Sequence, residues 1–167
     1  MCHRANPFET IDARHAWIAF DAQCSELTCH PRESDEVGEP RVGPNPQGFA
    51  DALEMVEYSC DIATSGTEGL AALRKRQYDL VLTDLVMADV GGLEILRQAQ
   101  EINPFVAVIV FTGHGTIETA VEALKRGAVD YLVKPLNIDG LRIRVEKALE
   151  RQELKKVNLD LERRLDQ

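Results

Sequence analysis

Three polar side chains of different chemistry stand at the ends of apolar runs. Asp84 ends "DLVLTD", Thr112 ends "VIVFT" and Lys134 follows "DYLV". If these runs are neighbouring parallel strands, their carboxyl ends meet at one edge of the sheet and the three side chains converge in one cleft. Such a set suits uptake of a phosphoryl group, in which the Asp84 carboxylate attacks, Lys134 offsets developing negative charge and Thr112 donates to a phosphoryl oxygen.

Each of these residues has a simpler explanation when it is taken alone. An aspartate at a strand end is usually a turn former, a threonine before a glycine often caps a helix, and a lysine at a rim is often only solvated. Gly113 beside Thr112 leaves that position sterically open. The occurrence of such residues at three consecutive strand ends favours the shared cleft over three unrelated explanations.

Helical and strand patterns alternate from Phe49 onward. The predicted strands are "CDIAT", "DLVLTD", "FVAVIVF" and "DYLV". The predicted helices are "FADALEMVEY", "SGTEGLAALRKRQ", "GLEILRQAQEIN" and "TIETAVEALKRG". Ser65 and Glu68 form a capping-box start for the second helix, and Gly127 closes the fourth. Strands that alternate with helices predict an α/β fold with a doubly wound parallel sheet.

The chain divides into three parts by its pattern. Residues 1–46 are rich in proline and form an irregular segment, residues 47–150 form the α/β domain, and residues 151–167 extend its last helix, which begins near Asp139. The extension carries an apolar stripe of Leu154, Val157, Leu161 and Leu165. About two heptads are short for a coiled coil, so a helical linker, a weak dimer seam and a solvated helical tail all fit.

The composition limits the classes of partner. A formal net charge of −9 argues against general affinity for a nucleic-acid backbone, which requires a clustered Lys/Arg face. No stretch approaches the run of about 18 apolar residues that spans a bilayer, and the N-terminus "MCHRANPFETIDARH" lacks the apolar core of a signal peptide. We therefore expect a cytoplasmic protein that binds neither nucleic acid nor membrane directly.

The four cysteines, Cys2, Cys24, Cys29 and Cys60, show no CxxC spacing. The segments "MCH" and "TCH" each place a histidine beside a cysteine, as a zinc site does. The competing interpretation is that these cysteines are reduced thiols in a loose segment, and a cytoplasmic setting favours it.

The motifs around the three strand ends resemble the receiver domain of response regulators in two-component phosphorelays. The resemblance covers roughly residues 49–150 and is carried by "LVLTDLVMADVGGLEIL", by "VIVFTGHGTIETAVEALKRGAVDYLVKP" and by the spacing between them. It implies a flavodoxin-like fold and a phosphorylation-controlled interaction module. By this resemblance Asp84 is the phosphoacceptor, charged from a phosphohistidine on a sensor histidine kinase or a phosphotransfer protein.

Further residues take family roles by the same resemblance. Thr112 and Lys134 resemble the switch hydroxyl and the invariant lysine. The bond between Lys134 and Pro135 resembles the family's cis peptide, which proline makes accessible. Tyr131 matches the aromatic residue that swings inward when the switch hydroxyl moves, and a half-buried strand tyrosine with no switching role is the alternative interpretation.

The resemblance also implies Mg²⁺, because a carboxylate and a phosphoryl group repel each other. Receivers supply its oxygens from the phosphoacceptor, here Asp84, from the carbonyl two residues later, here Val86, and from an acidic pair after the first strand. The family register places that pair near Val37 and Gly38, which are not acids and are followed by Glu39 and Pro40. Val86 and His114 match the two positions that tune the lifetime of the phosphoryl group.

The first strand of the sheet is displaced in this sequence. A sheet without its central strand would have two unpaired edges in its middle. The segment "AWIAF", residues 16–20, is the candidate for that strand, and it would end at Asp21 and restore one acid for the metal. It requires a loop of about 25 residues before the next helix, an uncommon length in a compact domain. The alternative is that residues 1–46 are not native to the receiver and the domain is truncated or degenerate.

The expected function is phosphorelay signal transduction by a regulatory domain that is no enzyme beyond self-catalysed phosphotransfer and dephosphorylation. Phosphorylation of Asp84 would switch a surface formed by "TIETAVEALKRG", "DYLV" and the last helix. A second copy of the chain is a further candidate partner, through that surface or the C-terminal helix. That helix resembles the linker to an ATPase output domain in enhancer-binding transcription activators, and a single-domain regulator or a fragment of a longer protein fits equally well.

Two rival functions also fit the sequence. The first is a degenerate pseudo-receiver that binds proteins without phosphorylation, as the displaced acids suggest. Ala88, where the family prefers proline, and Gly91, where it often has an acid, are smaller departures that alter the stiffness of the loop. The second is a nucleotide- or flavin-binding enzyme on a similar sheet, which "SGTEG" and "DVGGLE" do not support because neither matches a glycine-rich phosphate loop.

Overall fold

The computed structural model describes residues 14–19, 58–134 and 137–166. These residues form the strands β1 (Arg14–Ala19), β2 (Tyr58–Ala63), β3 (Leu80–Asp84), β4 (Ala107–Thr112) and β5 (Asp130–Val133). They also form the helices α1 (Gly66–Lys75), α2 (Gly92–Ile102), α3 (Ile117–Lys125) and α4 (Ile138–Leu165). The strands are parallel and make one sheet in the order β2-β1-β3-β4-β5. The predicted α/β fold with a doubly wound parallel sheet is confirmed.

Helices cover both faces of the sheet. Every residue of β3 and β4 is buried. On one face Leu82 packs in a cluster with Leu141 and Val145 of α4. On the other face Val81 packs in a cluster with apolar side chains of α1, α2 and α3. A strand covered on both faces is apolar throughout, so the charged and polar residues of β3 and β4 are found at their carboxyl ends.

Strand β1 comes from the N-terminal part of the chain and lies between β2 and β3. Its register pairs Ala19 with Thr83, so β1 runs toward the sheet edge at which Asp84 lies. The strand predicted at residues 16–20 overlaps β1. The sheet therefore includes residues that the predicted domain boundary at residue 47 assigns to the irregular N-terminal segment.

The helix predicted over "FADALEMVEY" is wrong at its last residue, Tyr58. Tyr58 begins β2, where it pairs with Arg14 of β1. Pairing with a neighbouring strand outweighs the helical periodicity of the sequence at this point. The rest of the predicted helix, residues 49–57, lies outside the described residues.

The capping signals act much as predicted. The Ser65 side chain accepts a hydrogen bond from the Glu68 N–H at 3.1 Å. The Glu68 carboxylate accepts from the N–H and the hydroxyl of Thr64, at 2.8 and 2.9 Å, instead of from Ser65. The capping box therefore reaches one residue further out than its usual form. Gly127 closes α3 with a φ of 98°, in the left-handed region that favours glycine.

Helix α4 has 28 residues and extends beyond the sheet. Its first half packs on the core, with buried residues as far as Gln152. Beyond that point the stripe of Leu154, Val157, Leu161 and Leu165 is exposed. None of the helices in the described ranges is long and apolar enough to span a membrane.

Replacing Leu82 with Ala should destabilise the domain by about 2–5 kcal/mol, because the substitution leaves a cavity in a close-packed core. The matched control is Leu165→Ala, at a side chain that is 85% exposed. That change should cost less than about 0.5 kcal/mol. Urea unfolding followed by circular dichroism measures both losses. Equal losses in the two variants would contradict the placement of Leu82 in the core.

Candidate functional site

A buried ion pair joins the ends of β3 and β5. Asp84 is the last residue of β3 and is 3% exposed. Lys134 follows β5, and its Nζ donates a hydrogen bond to Asp84 Oδ2 at 2.7 Å. The Lys134 side chain is 12% exposed, so little water screens the pair. The sequence correctly predicted that these two strand ends bring a carboxylate and an ammonium group together.

The loop after β3 folds back over the Asp84 carboxylate. The Val86 N–H donates to Asp84 Oδ1 at 3.2 Å, and the Gly92 N–H donates to the Leu85 carbonyl at 3.0 Å. A Cβ at Gly92 would overlap the Asp84 carbonyl oxygen, so glycine is required for this close approach. Both carboxylate oxygens of Asp84 are therefore engaged, one by the backbone of this loop and one by Lys134.

Strand β4 separates β3 from β5 and holds Lys134 from two directions. The Lys134 N–H donates to the Thr112 carbonyl at 2.8 Å. The Lys134 ammonium lies 5.1 Å from the centroid of the Phe111 ring, within range of a cation–π interaction. Sequence reasoning missed Phe111, and no pattern marks it, because a phenylalanine inside an apolar strand is usually a core residue.

Thr112 ends β4 and is buried at the same sheet edge. Its Oγ1 accepts a hydrogen bond from the His114 N–H at 3.3 Å. Accepting that bond leaves the hydroxyl proton available for donation to another oxygen. His114 itself is exposed at the rim. The structure thus places the predicted hydroxyl and the predicted tuning histidine in contact with each other.

Tyr131 on β5 contacts the first turn of α3. Its hydroxyl lies 3.0 Å from Thr119 Oγ1. The Thr119 hydroxyl donates to the Thr116 carbonyl at 2.9 Å and accepts from the Thr116 N–H at 3.1 Å. The two hydroxyl groups share a hydrogen bond in which either one can be the donor. A Cβ at Gly115 would lie 2.6 Å from the tyrosine oxygen, so the turn before α3 packs against Tyr131.

Sequence reasoning missed the partners of Tyr131. Thr116 and Thr119 form a capping box at the start of α3. The sequence "TIET" does not show this box, since the usual pattern has Glu or Gln three positions after the N-cap and Thr119 stands there instead. Nothing in the sequence shows that a tyrosine from the neighbouring strand makes a hydrogen bond with it.

Two predicted site residues, Pro135 and Asp21, lie outside the described residues. The cis peptide at Pro135 and the metal-binding carboxylate at Asp21 therefore stay predictions. The same holds for a zinc site built on "MCH" and "TCH", which lie outside the described ranges as well.

The sheet edge offers oxygen atoms to a metal ion. Within residues 14–19, 58–134 and 137–166, no group of three or more His, Cys, Asp and Glu side chains could hold one. Mg²⁺, however, often binds through one or two carboxylates and keeps several water molecules. The Asp84 carboxylate and the Val86 carbonyl therefore suit Mg²⁺ in their chemistry, and they are the described residues that would hold it.

The known protein families include one that matches most of this chain. The model of the response regulator receiver domain matches residues 45–146. The transcriptional regulatory protein ZraR of Escherichia coli O157:H7 is 46% identical over 92 residues, which are 55% of this chain and 21% of ZraR. The regulatory protein LuxO of Vibrio cholerae is 34% identical over 108 residues, 65% of this chain and 24% of LuxO. The chain thus spans about a fifth to a quarter of the length of these relatives.

Solved structures share the fold. A response regulator receiver domain protein from Clostridium thermocellum is 30% identical, with a TM-score of 0.66 over 84% of this chain and 98% of that one. A CheY-like receiver domain protein from Methanospirillum hungatei is 25% identical, with a TM-score of 0.68 over 85% of this chain and 98% of that one. Since sequence and fold agree, this chain belongs to the response regulator receiver domain family, whose members act in two-component signal transduction.

Proposed function

We propose that Asp84 accepts a phosphoryl group from a phosphohistidine of a sensor histidine kinase or a phosphotransfer protein. The observation that carries this proposal is the Lys134 ammonium group, 2.7 Å from a carboxylate that is buried at the sheet edge. Receiver domains of response regulators interact with histidine kinases. This site has the groups that such an interaction requires, because it pairs a nucleophilic carboxylate with a cation that offsets negative charge on the phosphoryl group.

The proposed transfer replaces one bond to phosphorus with another. An Asp84 oxygen attacks phosphorus, and the bond from phosphorus to the donor's imidazole nitrogen breaks. The donor keeps the bonding electron pair and takes up a proton from water, while Asp84 becomes an acyl phosphate. Lys134 and the Thr112 hydroxyl donate to phosphoryl oxygens and offset the charge that develops on them. Mg²⁺, held by Asp84 and Val86, would reduce the repulsion between carboxylate and phosphoryl group.

The switch that we propose starts at Thr112 and ends at α3. A Thr112 hydroxyl drawn toward a phosphoryl oxygen moves its methyl group, which packs against Gly115 in the turn before α3, and Tyr131 packs against the same glycine. The hydrogen bond between Tyr131 and Thr119 then couples β5 to the first turn of α3. The phosphoryl group fits one arrangement of these residues better than the other and shifts the population toward it.

The output surface is the side of the domain formed by α3, β5 and α4. It exposes the apolar side chains of Ile117, Val121, Leu124, Val133 and Ile143. An apolar patch on a soluble domain often marks an interaction site. We propose that the partner controlled by the switch binds this surface. The candidate for that partner is a second copy of the chain. The exposed stripe of α4 beyond Gln152 is the alternative surface for that second copy.

Val86 and His114 are the proposed determinants of the lifetime of the acyl phosphate. Val86 is 68% exposed and its N–H touches the Asp84 carboxylate. His114 is exposed and its N–H touches Thr112. Both residues are exposed beside the site and contact its polar groups through their backbones, so their side chains are placed to influence the access of water to the acyl phosphate.

Incubation with Mg²⁺ and acetyl phosphate should add one phosphoryl group to the chain, because Asp84 combines a nucleophilic carboxylate with Lys134 and the metal. Intact-mass spectrometry detects the adduct, and hydroxylamine should remove it, as it cleaves acyl phosphates. The adduct should be absent in Asp84→Asn and in the presence of EDTA. Asp166→Asn, at the exposed end of α4, is the matched control and should still be phosphorylated.

A folded chain that forms no adduct would contradict the proposal. Circular dichroism and a cooperative urea transition establish the folded state. In that case Asp84 would be unreactive, and the output surface would act without phosphorylation, as in a pseudo-receiver. An adduct that persists in Asp84→Asn would place the phosphoryl group on another residue and would also contradict the proposal.

Replacing Asp21 with Asn should weaken Mg²⁺ binding about tenfold, as the loss of a ligand or of its close partner does in other metal sites. Asp21 follows the end of β1 by two residues, and Ala19 of β1 pairs with Thr83 beside Asp84. Isothermal titration with Mg²⁺ measures the affinity. Asp12→Asn is the matched control, since Asp12 precedes the opposite end of β1 by two residues. Equal affinities in both variants would remove Asp21 from the metal site.

Lys134→Met should destabilise the chain by about 3 kcal/mol, because it leaves the Asp84 carboxylate buried without its cation. The loss should be smaller in an Asp84→Asn background, where no charge needs a partner. Lys156→Met is the control, because its ammonium group pairs with Asp79 at an exposed site and should contribute less than about 1 kcal/mol. Urea unfolding of the single and double variants measures this coupling. Additive losses would refute the energetic importance of the ion pair.

A further inference from the structure

Asp89, in the loop between β3 and α2, binds the N-terminus of α1. Its Oδ1 accepts from the Gly66 N–H at 3.0 Å. Its Oδ2 accepts from the Thr67 N–H at 2.8 Å and from the Thr67 hydroxyl at 2.6 Å. The Thr67 hydroxyl, followed by backbone N–H donors, holds the pKa of the Asp89 carboxyl well below its usual range. Asp89 is thus an anion fixed by three donors on another element.

These bonds complete the helix terminus from outside the helix. The first N–H groups of an α-helix have no acceptor within it. The Ser65 side chain accepts a hydrogen bond from the Glu68 N–H. The Asp89 carboxylate accepts from the two preceding N–H groups of the helix, those of Gly66 and Thr67. A carboxylate at this position also interacts favourably with the helix dipole. Because Asp89 comes from a separate loop, the bonds fix that loop against α1.

Close packing accompanies these hydrogen bonds. A Cβ at Gly66 would lie 2.7 Å from Val90 Cβ and would overlap the Val90 carbonyl oxygen. Two residues later, Gly92 packs in the same way against the carbonyl of Asp84, the residue at which the loop begins. The loop is therefore held on α1 through Asp89 and Val90 and closed at its base by the contact of Gly92 with Asp84. Val86, whose N–H donates to Asp84 Oδ1, lies between Asp84 and Asp89 in the chain.

The sequence of this loop supplies little stiffness of its own. Ala88 stands directly before Asp89, and Gly91 and Gly92 follow Val90. Alanine and glycine restrict the backbone less than proline does. The conformation of the loop therefore depends on contacts with the rest of the domain, and the Asp89 bonds are the polar contacts that tie it to α1.

We propose that Asp89 is a positioning residue for the phosphoryl-accepting site, which fixes the loop on α1 and thereby holds Val86 against the Asp84 carboxylate. The inference rests on the proposed function of Asp84. Without this anchor the Val86 N–H leaves Asp84 Oδ1 in part of the molecules, and a smaller fraction has the site arranged for attack on phosphorus. Asp89 acts through Val86 and does not touch the reacting atoms itself.

Asp89→Asn in the full chain tests this role. In the unphosphorylated protein the NMR signal of the Val86 amide should shift and its hydrogen exchange should accelerate, because the bond to Asp84 opens more often. The rate of adduct formation with acetyl phosphate should fall about tenfold, a loss typical of residues that orient a reactive site from outside. Thr67→Val should reproduce part of both effects. The double variant should lose less than the sum, since both changes remove the same hydrogen bond.

Glu68→Gln is the matched control. The Glu68 carboxylate caps the same terminus of α1, but its hydrogen bonds run to Thr64. This variant should lose a similar amount of stability while the Val86 amide and the rate of adduct formation stay as in the wild type. If Asp89→Asn behaves like Glu68→Gln in both measurements, Asp89 is a helix cap alone and the proposal is overturned.

The two measurements separate this inference from the proposal for Asp84. A folded wild-type chain that forms no adduct overturns the phosphoacceptor role and, with it, the predicted effect on the rate. The NMR signal and the hydrogen exchange of the Val86 amide are measured without any phosphodonor. They therefore test whether Asp89 fixes the loop even if Asp84 accepts no phosphoryl group. An amide that shifts in Asp89→Asn but not in Glu68→Gln supports the anchor, and an amide that stays in place overturns it.

Discussion

The buried ion pair between the Asp84 carboxylate and the Lys134 ammonium group is the interaction that the arrangement of the whole domain must support. Two charges that leave water are stabilised only when their geometry is good and their remaining polar atoms are satisfied. The two residues are 50 positions apart, and the parallel order of β3, β4 and β5 brings them within 2.7 Å. The backbone of the β3–α2 loop satisfies the second carboxylate oxygen, and the Phe111 ring supports the lysine. Helices on both faces exclude water from the strands that carry these groups.

The parts of the site that could be predicted from sequence are those that follow from strand order. Residues at the carboxyl ends of adjacent parallel strands must share an edge, so Asp84, Thr112 and Lys134 could be assigned to one cleft before any contact was known. The same reasoning required a strand between β2 and β3. A short apolar run near the N-terminus was the available candidate, and the strand Arg14–Ala19 occupies that position.

The contacts that could not be predicted depend on where side chains point from separate elements. Asp89 in the β3–α2 loop looks like an ordinary turn residue, and its three donors lie 22 and 23 positions earlier in the chain. The bond between Tyr131 and Thr119 likewise joins a strand to a helix cap. Periodicity fixes which face of an element is buried, but it does not fix the rotation of a loop or the proton arrangement of two hydroxyl groups. Tyr58 shows the related limit for boundaries, because the neighbouring strand decided its conformation.

Helix α4 extends from the sheet edge of the site to well beyond the domain. It starts a few residues after Lys134 in the chain, where the Asn137 side chain accepts from the N–H groups of Asp139 and Gly140. It then continues without a break for 28 residues, a length of about 42 Å. A tilt of about 5° at its first turn would carry the far end through about 4 Å. The exposed stripe from Leu154 to Leu165 lies on that far end, so a small change in the angle between the helix and the sheet displaces this apolar surface much more than it displaces the packed first half of the helix.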